Sequence, residues 1–215
     1  MTAKIESSVE KPESEHEGPV VERMMLFTDA VVAIAITLLA LELPVPKGGT
    51  NSELWHSAVE ARPEYKAFLI SFVVIWAHWS AHRNVFRGLR ALDRTLGSLN
   101  GLWLLMVVLI PFATKVIAGD GAFQLRFGFY ALLETVTSLL FLLMAWHVRR
   151  AGLATEGTPP ERFTDAMLHS GAIAACFAVS IPVAFAGGWA YLCWVAAAVV
   201  TRLATRVTRR QVQPA

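Results

Sequence analysis

The chain has 215 residues, of which 55% are hydrophobic and 17% charged, with a mean hydropathy of +0.49. Soluble domains carry roughly 25% charge and 45–50% apolar residues, so the composition argues against a soluble enzyme and against a disordered chain. The formal net charge of +2 is small and says less than where the charges lie.

Residues 1–20 are a separate material. Glu6, Glu10, Glu13, Glu15 and Glu17 stand against Lys4 and Lys11, with Ser, Pro and Gly and little to bury. This reads as a disordered acidic tail. It lacks the basic start and adjoining apolar stretch of a signal peptide. A six-helix transmembrane domain is expected over 21–208, with a short cytoplasmic tail at 209–215.

Six apolar stretches follow. The first runs from about Met24 to Leu43 and stops at Pro44 and Pro46. The second runs from about Glu64 to Phe86, and the third from about Leu96 to Ala118, before Gly119-Asp120-Gly121. The fourth spans about Phe123 to Val148. The fifth spans about Phe163 to Phe185, with Pro182 near its end as an expected kink. The sixth spans about Trp189 to Ala204. Each can cross a hydrocarbon core about 30 Å thick as a helix. None alternates as a barrel strand would, so the expected fold is an all-α membrane protein with six transmembrane helices.

Arginines sort to one side. Arg83, Arg87, Arg90 and Arg94 lie between spans two and three, and Arg149, Arg150 and Arg162 between four and five. Arg202, Arg206, Arg209 and Arg210 follow span six. The positive-inside rule puts these loops and both termini in the cytoplasm, which requires an even number of spans. Trp55 and Trp189 fall near the expected outer boundary and Trp146 near the inner one. No internal repeat is visible, which removes support for an inverted-repeat transporter.

Charges within a span are costly and are functional or paired. In span one, Ile34, Leu38 and Leu41 fall within about 60° of one another at 100° per residue, with Thr37 on the same side. Asp29 lies about 140° from Ile34. On spacing alone the stripe is an ordinary lipid- or helix-facing surface. Asp29 would gain a cross-helix partner in His82 or Arg23. In span two, His78 and His82 share a face. Without a third ligand that spacing points to hydrogen bonding rather than a metal. Glu134 has no local partner in span four; it faces protein or water, or carries a proton or ion. Cys176 and Cys193 lack metal-ligand spacing and read as packing residues. No Gly-rich phosphate loop, nucleophile elbow or potassium-channel carbonyl filter is present.

Three ordered blocks carry a family resemblance. Arg23-Met-Met-Leu-Phe27-Thr28-Asp29, continuing through Ile34, Thr37, Leu38 and Leu41, resembles the first helix of the transmembrane protein 175 family of potassium channels. That family's hallmark is Arg-x-x-x-Phe-Ser-Asp; here Thr28 keeps the hydroxyl. Trp79-Ser-Ala-His82-Arg-Asn-Val-Phe86 resembles the end of the family's second helix, and Leu99-Asn100 with Pro111-Phe112-Ala-Thr114 its third. The resemblance, to bacterial members in particular, covers about Arg23 to Thr114.

The resemblance implies a passive potassium channel of modest selectivity over sodium, not an enzyme. It implies a homotetramer in the plasma membrane whose pore is lined by helix one. Carried over by position, Ile34, Leu38 and Leu41 form a hydrophobic constriction and Thr37 a selectivity ring. Arg23, Phe27, Thr28, Asp29 and His82 form the network that fixes helix one. Potassium ions and the lipid bilayer are the expected partners, with no cofactor, no bound metal and no nucleic acid. The competing expectation is a proton-coupled transporter or proton-permeable channel using Asp29, Glu134 and the histidines.

Overall fold

The computed structural model describes the backbone of residues 14–196 and the side chains of residues 18–196. The expected tail residues 1–13 and 209–215, and the arginines from Arg202 onward, lie outside the described residues. Within them the fold is helical: α1 Ser14–Leu41, α2 Asn51–Glu60, α3 Arg62–Phe86, α4 Arg94–Ala118, α5 Phe123–Ala151 and α6 Pro160–Val183. A 3₁₀ turn, Ala184–Ala186, follows α6, and a further helix, α7, occupies 190–196 to the end of the described residues.

Two differences from the expected elements stand out. Helix α1 begins at Ser14 rather than near Met24, so helical backbone extends into the acidic segment. A short amphipathic helix, α2, forms in the first connection, where only a loop was expected. Thr50 starts it, accepting from the Glu53 N–H at 3.2 Å, the arrangement that satisfies an orphan donor of the first turn.

Four helices, α1, α4, α5 and α6, are long and apolar enough to cross a membrane. The chain is a multi-pass, all-α membrane protein. Helix α3 has 25 residues, long enough to span, but Trp76, His78, Trp79 and His82 lower its hydropathy. Of these, His78, Trp79 and His82 are bonded to neighbouring helices, as described below.

Helices α1, α3 and α4 pack mutually, and α4 leads through α5 to α6. Lipid tails are as apolar as leucine, so close packing and interhelical hydrogen bonds hold such a bundle together. Trp103, Phe127, Tyr130 and Phe141 are fully enclosed among α3, α4, α5 and α7. Trp194 of α7 stacks on Phe127 at 4.6 Å and donates to Ser180 Oγ of α6 at 3.0 Å.

The loops after α3 and α5 meet. The Arg90 N–H donates to the Leu153 carbonyl and the Thr155 N–H to the Gly88 carbonyl, both at 2.8 Å. A side chain at Gly88 would come within 3.0 Å of Thr158, so the backbones approach closely there. This pairing puts the two described arginine-rich loops at one end of the bundle, where α1 also enters. Gly152, with φ of 65°, ends α5 in the left-handed conformation glycine favours.

Candidate functional site: the first helix and its polar supports

Helix α1 has two unlike sides. Val21, Thr28, Val32, Ala35 and Leu39 are buried, at spacings of seven, four, three and four that keep one face inward. Ile34, Leu38 and Leu41 are 59%, 40% and 81% exposed, and Thr37 is exposed beside them. Of the four apolar helices α1 is the least enclosed, with 22% of its most apolar stretch buried against 50% for α5. The Thr37 hydroxyl donates to the Ile34 carbonyl at 2.8 Å, which leaves its oxygen lone pairs free on the outward side.

The inward face is tied by a chain of three side chains. Asn100 of α4 donates from Nδ2 to Thr28 Oγ1 at 3.1 Å, and its Oδ1 lies 2.8 Å from His82 Nε2 of α3. An amide oxygen only accepts, so His82 is the donor and carries its proton on Nε2. His82 stacks between Phe86 at 3.8 Å and Trp103 at 4.7 Å. All three linked residues are at most 2% exposed.

Asp29 is partnered differently from the expectation. It accepts from Trp79 Nε1 at 2.7 Å, not from His82 or Arg23. Trp79 and His82 lie about 60° apart around α3, and across that offset the indole meets α1 while the imidazole meets α4. Arg83, one turn further, places its guanidinium 5.0 Å from the Trp79 ring. The expected network of five therefore divides. Thr28 and His82 are linked through Asn100, and Asp29 is held by Trp79. Phe27 is 61% exposed, because seven residues carry it back to within about 20° of Ile34 on the outward stripe. Arg23 is exposed as well.

Sequence reasoning missed Asn100 and Trp79 as bonding partners. Asn100 was visible only as part of a matching block. A lone amide inside an apolar helix, which must find a partner in the bundle, was the available signal.

A second polar centre lies between α3 and α5. Glu134, fully buried, has Oε2 2.9 Å from His78 Nε2, so the partner invisible in sequence is supplied by another helix. His78 and His82 share the buried face of α3, as expected, but serve different neighbours. Nearby, Ser71 Oγ lies 3.0 Å from the Tyr130 hydroxyl and 2.7 Å from Thr114 Oγ1, joining α3, α5 and α4. Among the described residues no group of three or more His, Cys, Asp or Glu could hold a metal ion. Cys176 and Cys193 are free thiols.

At the ends of the bundle, Asp93 joins two elements. Its Oδ1 accepts from the Leu96 N–H at 2.7 Å, capping α4, and its Oδ2 accepts from His147 of α5 at 2.7 Å. Partial burial pushes this carboxyl's pKa up, but the Leu96 and His147 hydrogen bonds outweigh that and hold it below the ordinary 3.8. At the opposite end, Lys115 of α4 reaches Glu42, just past α1, at 2.6 Å.

Comparison with known proteins agrees with this architecture. The family model "Endosomal/lysosomal potassium channel TMEM175" matches residues 23–111. A protein from Streptomyces collinus named as a potassium channel is 37% identical over 134 residues, 60% of this chain and 65% of that one. Another so named, from Chamaesiphon minutus, is 39% identical over 112 residues, 51% of this chain and 53% of that one. The chain thus spans less than two thirds of the length of these curated relatives. A solved structure described as a lysosomal potassium-selective channel homolog from Chamaesiphon minutus superposes with a TM-score of 0.69 at 24% identity. It covers 91% of this chain and 100% of that one.

Proposed function

We propose that the chain, whose residues 23–111 match the TMEM175 family model, is a passive cation channel with a modest preference for potassium over sodium. Its subunit has six transmembrane helices: the four apolar spans, α3, and the apolar stretch from about Trp189 to Ala204, which lies in part outside the described residues. Four subunits surround a pore lined by α1 in the plasma membrane, with both termini cytoplasmic. The described arginine-rich loops, gathered at one end of the bundle, support that orientation.

The observation that carries this reading is the division of α1. One face is bonded to α3 and α4; the other bears Ile34, Thr37, Leu38 and Leu41 exposed. A helix so held can turn that stripe toward three copies of itself. Rings of Ile34, Leu38 and Leu41 then make a narrow, poorly wetted throat that gates by dewetting. Four Thr37 oxygens replace part of an ion's hydration shell. They are fewer and weaker ligands than stacked carbonyls, which is why the preference is modest. No cofactor takes part. Potassium is the permeant ion, lipid is the surrounding solvent, and nucleic acid is not a partner.

The buried Glu134–His78 pair supports the second reading, a proton-coupled transporter or proton-permeable channel. Single-channel recording of purified protein under opposed potassium and sodium gradients separates the two. Unitary currents reversing toward the potassium potential are expected. A saturating flux without unitary events, strictly dependent on a pH gradient, would overturn the channel reading.

A further inference from the structure

Glu42 directly follows Leu41, the last residue of α1 and of its outward stripe. It lies about 40° around the helix from Leu38. Its carboxylate pairs with Lys115 at 2.6 Å, and the two side chains remain 48% and 67% exposed. Glu64 of α3 borders the same groove, set back, with one carboxylate oxygen enclosed. The last carbonyls of α1 add the negative end of its dipole at this level. One ammonium therefore stands among several negative groups at the outer end of the proposed pore helix.

We propose that Lys115 sets the fixed charge of the outer entrance by neutralising Glu42, and so limits the rate at which cations enter. This rests on the channel reading above. An exposed pair of this kind contributes little to folding. In a fourfold ring, however, its effect on a passing ion is repeated four times. Removing Lys115 leaves four uncompensated carboxylates around the entrance, which concentrate cations there. The effect is long-ranged at low salt, where screening extends over about 30 Å at 0.01 M, and is nearly lost at 1 M, where it extends over about 3 Å.

The experiment is unitary conductance of the full chain in planar bilayers, at about 10 mM and about 1 M KCl, for wild type, Lys115→Gln, Lys115→Arg and Glu42→Gln. Lys115→Gln is expected to raise conductance about threefold at the lower salt and by less than about 1.3-fold at the higher. Lys115→Arg should behave as wild type, and Glu42→Gln should lower conductance at low salt only. The reversal potential should not move, since the Thr37 ring is untouched. A Lys115→Gln conductance unchanged at low salt, or raised equally at both, overturns this proposal alone. Absence of unitary current in wild type overturns the channel reading and this proposal with it.

Discussion

His82 of α3 donates to Asn100 of α4 across 2.8 Å, and the same amide reaches back to Thr28 of α1. One asparagine thus holds three helices in register at a point where none of the three side chains meets solvent. The α1 hydroxyl and the α3 imidazole share no direct hydrogen bond; each bonds to the same amide. Their relation depends on a third residue, so rotation of α1 cannot occur without disturbing α4.

Removing Asn100 should loosen α1. Interhelical hydrogen bonds in membrane proteins are worth about 0.6 kcal/mol each, rarely above about 1.7. Asn100→Ala breaks two, so a loss of about 1–3 kcal/mol is expected in thermal or denaturant unfolding in detergent. A Thr28→Val, Asn100→Ala double-mutant cycle should show coupling of about 0.6 kcal/mol or more. Strict additivity would mean the contact carries nothing.

The Glu134–His78 pair should respond asymmetrically. Deleting one member leaves the other a buried polar group without its partner and costs about 1–3 kcal/mol. Replacing both with Leu removes the stranded polar group. The double substitution is therefore expected to be more stable than either single one in the same unfolding assay. A double variant as unstable as the sum of the singles would contradict this.

Asp93 gives a pH dependence whose sign is fixed. Its pKa in the folded protein lies below the ordinary 3.8, so the stability it adds is fully present above 3.8 and disappears as pH falls through the lower folded value. Asp93→Ala should cost about 1 kcal/mol near neutral pH, the usual value of an N-cap. Its deficit relative to wild type should shrink as pH falls below 3.8. A deficit independent of pH would leave the cap without an ionic part.

The exposed stripe of α1 gives the test of permeation. Ile34→Asn or Leu38→Asn should wet the constriction and increase cation flux into liposomes. Thr37→Val keeps the size but removes the oxygen, so the potassium-to-sodium permeability ratio should fall toward one while flux persists. Unchanged flux in both asparagine variants would mean the stripe is not the constriction.

Local sequence determined the long helices, and the apolar class of α1, α4, α5 and α6, because each of those four carries its own hydropathy. It also determined the two sides of α1, since a face follows from residue spacing at about 100° per step. It left the first connection as a loop, where ten residues form α2; short amphipathic turns give weak periodicity.

What tertiary structure decided is which polar group meets which. Sequence placed Asp29, Glu134, His78 and His82 inside the membrane, left Glu134 and His78 without partners, and paired Asp29 with His82 or Arg23. Packing gave Asp29 to Trp79, Glu134 to His78 and His82 to Asn100. Helical spacing shows which residues share a face of one helix. Only the rotation and depth of the neighbouring helix show what that face touches, and those are set by the close packing of the whole bundle.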